Sequence, residues 1–361
     1  MARTRHTKGK SLADQVKSAS KKRTEPVGRK SAILIPTGST LLNLACSGNI
    51  AGAFDTGEVI NIIGDKSAGK TFLFFTLLAA VVQSKRFDKY RTIHDDAEVA
   101  DRFNIRKLYG KKLHKRLENP FDNDESSVTI QDFDGRITEL IEEGTPFVYG
   151  LDSFDALTSD EEIEKAKKKS KARAAGKKEA GSYQLDTTRG LSAMFRRITS
   201  GLEETNSLLI VISQVRENIG AMPFAPKYRR NGGRALGHYS GHEMWLGTVK
   251  KIKRSDRVVG HKCQVRVTKN KLTGKARDIY FDIYPDYGID DIGSCVDFMV
   301  DEKAWRKKGD KIRTPFGDMS RSSLINHIEE EGLEDALREA VGEAWAEIEE
   351  KIRTKRKKRF E

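Results

Sequence analysis

The residues Gly64-Asp65-Lys66-Ser67-Ala68-Gly69-Lys70-Thr71 have the types and the spacing needed to hold phosphate. In a G-x-x-x-x-G-K-[ST] segment the glycines let successive backbone N–H groups turn toward phosphate oxygens, and the helix that follows adds positive potential at its start. Lys70 would reach the terminal phosphates as a point charge, while the Thr71 hydroxyl would ligate Mg²⁺. The pattern by itself is short enough to arise by chance. Here it follows the apolar run VINIIG and opens the long apolar segment TFLFFTLLAAVVQSK, which is the strand, loop and helix context that the chemistry requires.

A site that hydrolyses a nucleoside triphosphate also needs an acidic group at the end of a neighbouring strand, close to the metal. FVYGLDS supplies Asp152 there, with Ser153 beside it. It needs a carboxylate to polarise water as well, and TIHDDAEVAD offers Asp95, Asp96, Glu98 and Asp101, among which the chemistry alone does not choose. His238 and His242 in HYSGH stand four residues apart, but with no third ligand nearby they read as a packed or surface pair and not as a metal site. The segment NSLLIVISQVRENIGAMPFAPKYRRNGG is unusual. Its apolar run delivers the amide of Gln214 to a strand end and then passes into a basic stretch with aromatic residues and paired glycines.

These groups need a scaffold that brings strand ends together. From Ile33 onward, short β-rich runs alternate with helical patterns: VINIIG, TFLFFTLLAAVVQSK, YRTIHDDAE, DGRITELIEEG, PFVYGLDS, RGLSAMFRRITSGLEE and LLIVIS. That alternation predicts βαβ units and a mostly parallel sheet covered by helices on both faces, the α/β architecture of a P-loop protein. After GHEMWLGTVKKIKR the pattern changes to strands and turns, KCQVRVTKNKLTGKARDIYFDIYP, expected as hairpins appended to the sheet edge. The expected organisation is a basic N-terminal arm over 1–32, a core over 33–286, a small α-rich C-terminal domain over 287–352 and a basic tail over 353–361.

The 361-residue chain is 37% hydrophobic and 33% charged, values of a protein with much solvated surface. A formal net charge of +13 favours a polyanionic partner, nucleic acid first, because clustered Lys and Arg release counterions from phosphate backbones. Cys46, Cys263 and Cys295 are odd in number and far apart, which argues against a disulfide framework or a zinc knuckle. MARTRHTKGK is not followed by an apolar run of the kind a secretory signal has, and FLFFTLLAAVV is too short to span a bilayer. The expectation is a cytoplasmic protein with no membrane partner.

Five pieces, in order, give the chain a resemblance to the RecA family of DNA strand-exchange recombinases: PTGSTLLNLACSG, GDKSAGKT, DDAEVAD, LDSFDALTS and NSLLIVISQVRENIG…NGG. The resemblance implies ATP and Mg²⁺ as cofactors, Glu98 as general base with Asp96 its structural neighbour, and Gln214 as the sensor of the γ-phosphate. It implies that Lys269 and Lys271 of TKNK reach across a subunit interface to the neighbour's ATP. It places two DNA-binding loops at about 160–184 and 216–233. The chain departs from some bacterial members in ending with TKRKKRFE and not with an acidic tail.

Single-strand sites combine cations that follow the backbone with planar or apolar side chains that touch bases. In the second loop the cations are Arg216, Lys227, Arg229, Arg230 and Arg234, interleaved with Met222, Phe224 and Tyr228; Phe224 is the candidate wedge between base steps. In the first, Lys177 and Lys178 beside Gly176 are the candidate phosphate contacts, within a Lys-rich run that could equally be a solvated helix. The resemblance implies a helical homo-filament on single-stranded DNA, with double-stranded DNA as second partner and room for single-strand-binding or mediator proteins. The alternatives are a ring-forming motor on the same core, or a regulatory DNA-binding protein that binds ATP without turnover.

Overall fold

A computed structural model of the chain describes residues 33–99, 103–122, 125–164, 168, 185–217, 228–230 and 233–356. The first described elements are an antiparallel pair, β1 (Leu34–Ile35) with β2 (Phe54–Asp55), that brackets helix α1 (Thr40–Ser47). The sequence sets both ends of α1. The Ser39 hydroxyl accepts from the Leu42 N–H at its start, and Gly48 takes the left-handed backbone that stops it (φ 72°).

Six strands then run parallel, in the spatial order β5 (Leu117–Glu118), β4 (Arg91–Asp96), β6 (Phe147–Asp152), β7 (Leu208–Glu217), β3 (Glu58–Gly64) and β9 (His242–Arg254). β9 continues as an antiparallel meander through β10 (Arg257–Asn270), β11 (Arg277–Tyr284) and β12 (Gly288–Asp290). This is the mostly parallel sheet with appended hairpins that the sequence predicts. Side chains alternate between two hydrophobic cores, one on each face, as a doubly covered sheet requires. Ile60, Ile62, Leu208, Ile210 and Ile212 point into one core, and Val59, Leu209, Val211, Tyr149 and Leu151 into the other.

The first core also holds Leu73, Phe74, Phe75, Leu77 and Leu78 of α2 (Lys70–Gln83) and Leu113 of α3 (Ile105–Arg116). The second is closed by Phe133, Ile137 and Leu140 of α4 (Ile130–Glu143), by Met194, Phe195, Ile198 and Leu202 of α5 (Leu185–Thr205), and by Leu236 of α6 (Gly233–Tyr239). A reciprocal capping box starts α4: Thr129 accepts from the Asp132 N–H while Asp132 accepts from the Thr129 N–H.

Beyond β12 the chain forms α7 (Asp291–Asp301), α8 (Arg321–Glu330) and α9 (Glu334–Ile352), and between the first two a three-stranded antiparallel sheet, β13 (Arg306–Lys308), β14 (Lys311–Thr314) and β15 (Gly317–Ser320). That sheet and the helix α3 are elements the sequence reading did not anticipate. Trp305, Ile312, Leu324, Leu337, Val341 and Trp345 of this part belong to the same hydrophobic core as Phe74. No helix among the described residues is long and apolar enough to cross a membrane.

Candidate functional site

The parallel strands all end on one edge, and the candidate groups collect there, as ligands do in open α/β sheets. Gly64 ends β3 in register with Gln214 on β7, and Asp152 ends β6 in register with Asp96 on β4. Asp65, Lys66 and Ser67 stand exposed at the turn, while Ala68, Gly69 and Lys70 are buried against the sheet. Two residues of the turn have positive φ, Ser67 at 62° and Gly69 at 94°, so the backbone curls before α2 begins at Lys70. This is the concave run of N–H groups at a helix start that suits an anion.

Lys70 lies inside the curl, its Nζ donating to the carbonyls of Gly64 at 2.9 Å and Asp65 at 2.8 Å. Burial pushes its ammonium below the usual lysine range, against the pull of Asp152, Glu98, Asp65 and Asp155. A phosphate in the cradle would supply the missing counter-charge. One residue on, Thr71 Oγ1 donates to Asp152 Oδ2 at 2.7 Å. A hydroxyl and a carboxylate in contact at the first helical turn form a hard oxygen donor pair that fits Mg²⁺. That ion is held by one or two protein oxygens plus phosphate and water and not by an all-protein cage. No cluster of three or more His, Cys, Asp or Glu suited to a metal occurs among the described residues.

The acidic segment separates into distinct roles. Asp95 is fully buried and accepts from Ser127 N–H at 2.9 Å, from Ser127 Oγ and from Tyr149 OH, both at 2.6 Å, so it is an internal tether. Burial drives the Tyr149 hydroxyl well above its usual value, which keeps it a donor. Asp96 ends β4, and Asp101 lies outside the described residues. Glu98 sits on the turn after β4, exposed, with its N–H donating to the Asp152 carbonyl at 3.2 Å. Its Oε1 accepts from Gln214 Nε2 at 2.7 Å and from the Ser153 hydroxyl. Glu98, Gln214, Ser153 and Asp152 are thus brought together from three strands. Ser153 and Asp155, which accepts from the Gln214 N–H, are participants whose contacts no spacing in the sequence reveals.

β7 does not stop at Gln214. Val215, Arg216 and Glu217 pair antiparallel with Arg230, Arg229 and Tyr228 of β8 (Tyr228–Arg230), so Arg216, Arg229 and Arg230 lie on a strand ladder where the sequence predicts open loop. Arg234 falls within α6. Met222, Phe224, Lys227, Lys177 and Lys178 lie outside the described residues, as do the arm over 1–32 and the last five residues of the tail.

Lys269 and Lys271 sit at the end of β10, two strands away from β3. Lys269 is in register with Glu243 of β9, itself opposite Asn61 of β3, three residues upstream of Gly64. The Lys269 ammonium donates to the Gly237 and His238 carbonyls at the end of α6, and that of Lys271 to His238 at 3.5 Å. They are therefore not brought to this chain's own phosphate cradle. His242 is buried with Nδ1 3.0 Å from Glu58 Oε2, and His238 is exposed against Tyr239.

A parallel sheet whose strand ends carry this cradle, the Thr71–Asp152 pair and a glutamate held by a glutamine defines a P-loop fold of the nucleotide-hydrolysing class. The model of the RecA N-terminal domain matches residues 24–290, closing on the last residue of β12, and the chain belongs to the RecA family. It is 29% identical over 316 residues to Protein RecA of Geobacter metallireducens, with 85% of each chain covered. It is also 29% identical over 335 residues to Protein RecA of Clavibacter michiganensis subsp. michiganensis, covering 91% of this chain and 81% of the relative.

Proposed function

We propose that this protein is an ATP-dependent DNA strand-exchange recombinase for homologous recombination and repair, polymerising on single-stranded DNA as a helical filament. The observation that carries the reading is the continuity of β7. Gln214 touches Glu98 in the nucleotide site, and the next three residues are already paired with β8 in the segment proposed to grip DNA. A change at Glu98 or at the phosphate it faces is felt by the hairpin through a few residues of rigid strand. That is what coupling between ATP occupancy and DNA affinity needs.

Within the site, Lys70 leaves the Gly64 and Asp65 carbonyls for phosphate oxygens, and Thr71 and Asp152 hold the magnesium position. Bound Mg²⁺ would neutralise charge on the β and γ phosphates. Glu98, fixed by Ser153 and Gln214, accepts a proton from the attacking water. Lys269 and Lys271, facing away from their own cradle, serve the nucleotide of an adjacent subunit, so each ATP site is completed by assembly. A head-to-tail interface of this kind that does not close yields an open filament. Cations of the two DNA segments, Lys177, Lys178, Arg216, Lys227, Arg229 and Arg230, hold backbone phosphates while Met222 and Phe224 touch bases, leaving sequence to be read by pairing with an incoming duplex.

The test is the ATPase rate with and without single-stranded DNA, together with negative-stain images of the same mixtures. DNA-stimulated turnover and open helical filaments, both lost in Lys70→Ala, are expected. Closed rings would point to a motor, and DNA binding without turnover to a regulatory protein.

A further inference from the structure

The strand behind the phosphate cradle brings to it a group that the proposed chemistry leaves unused. Two residues on one face of β10, His261 and Cys263, abut the turn between β3 and α2. Cys263 Sγ donates to the Ala68 carbonyl at 3.3 Å, and burial pushes its thiol up to about 12, so it remains a donor. His261 Nε2 would lie 3.7 Å from a methyl group placed on Gly69, and the same methyl would overlap Ile283 Cδ1, since Ile283 is the register partner of His261 on β11. His261 therefore flanks the residue that caps the phosphate helix. Its Nε2 is shielded from solvent and makes no hydrogen bond among the described residues.

Buried polar nitrogens are rarely left unpaired, and those that are call for a ligand that completes them. The tautomer that carries its proton on Nε2 can donate to an acceptor entering the cradle. Burial holds His261 below the usual histidine range, against the pull of Asp282. The charged groups around it are Asp282 on β11, Lys251 opposite it on β9, Lys70 at the start of α2, and the adjacent Lys262, which is engaged by Asp282 at 3.2 Å and Asp297 at 3.4 Å.

We propose that His261 is a nucleotide-positioning residue whose Nε2 donates a hydrogen bond to a phosphate oxygen of the nucleotide held by Gly64–Thr71. This rests on the reading of that segment as a nucleotide site. A phosphate beside the ring favours its charged form, so the histidine's pKa is higher in the complex than in the free protein. Binding then takes up a proton, and affinity rises as pH falls toward and below the free value.

The experiment is calorimetric titration of the full chain with Mg·ADP between about pH 5.5 and 8, the range in which a histidine exchanges its charge. Wild type, His261→Ala, His261→Gln and Lys70→Ala are compared, with folding followed by circular dichroism. His261→Ala should weaken binding about 10- to 150-fold, the loss of one hydrogen bond to a charged group. His261→Gln, whose carboxamide can donate from nearly the same place, should recover most of that affinity but with a flatter pH profile. The nucleotide's own titration is common to both proteins, so the difference in slope isolates the imidazole. Binding by His261→Ala equal to wild type would overturn the proposal, and so would superimposable profiles for wild type and His261→Gln. Should His261→Ala fail to fold, the His261→Gln profile decides alone. If Lys70→Ala binds as tightly as wild type, the nucleotide site itself is misplaced, a failure distinct from that of His261.

Discussion

Glu98 Oε1 accepts from both Ser153 and Gln214, which fixes the carboxylate and leaves Oε2 outside those two bonds, the oxygen that the proposed mechanism assigns to the attacking water. Replacing it by glutamine keeps size and hydrogen bonding while removing basicity. Glu98→Gln is therefore expected to retain nucleotide binding and to lower DNA-stimulated hydrolysis by about 10²- to 10⁴-fold, measured by phosphate release. Gln214→Ala leaves the carboxylate its charge but cuts its bond to β7, so basal hydrolysis should fall less than the stimulation by DNA. Much of the proposed site is legible in the sequence because the segment read as the phosphate cradle is local: eight consecutive residues carry it. The choice among the acidic residues is not local. Asp95 is removed from it by Ser127 and Tyr149, whose approach depends on the packing of β6 and the segment before α4. His261 and Cys263 stay hidden for the same reason, since the residues they abut are nearly two hundred positions away in the chain.

Helix α2 can lie on the sheet only because one strand offers it a flat place. Gly150, in the middle of β6, faces the ring of Phe74, and a Cβ added there would fall within that ring. Phe74 is fully buried, touches Phe75 and His94, and has nowhere to turn. Gly150→Ala should therefore lift α2, and with it Lys70 and Thr71, away from the strand ends. The expected loss is about 1–3 kcal/mol of stability, as for other overpacked cores, read as a lower urea midpoint at unchanged slope. Nucleotide affinity should fall with it. The sequence shows α2 as an apolar run but not which strand it lies against. It likewise shows LLIVIS as a strand but not that β7 extends to Glu217. Those last residues, apart from Val215, are polar, and their β conformation is held by pairing with β8, a partner that periodicity cannot see.

At the scale of the whole molecule, the C-terminal helices are tied to the main sheet by one core and by carboxylates, of which Glu349 is the most heavily engaged. Glu349 on α9 receives Arg277 of β11 through both oxygens, at 2.6 and 2.8 Å, and Lys275 at 2.6 Å. Arg277 first, then Lys275, holds the Glu349 carboxyl down to about 2 from an ordinary 4.5. A carboxyl whose folded value is depressed contributes stability that is fully present above its unfolded value and fades as pH falls through the folded one. The contribution of Glu349 should thus be constant above about pH 5 and disappear between roughly pH 4.5 and 2. Half of the Lys275 side chain is exposed, so solvent screens its part and the Arg277 fork dominates. Glu349→Gln is expected to lower stability by about 1–2 kcal/mol at pH 7. In thermal melts its curve should converge on that of wild type as pH drops below about 4.5, where the carboxyl of the unfolded chain takes up its proton while the folded one, held at about 2, still resists it. A difference that persists undiminished at the acid end would mean that the substitution acts through the packing or geometry of the side chain and not through its charge, with α9 otherwise held by Leu337, Val341 and Trp345, which both proteins share.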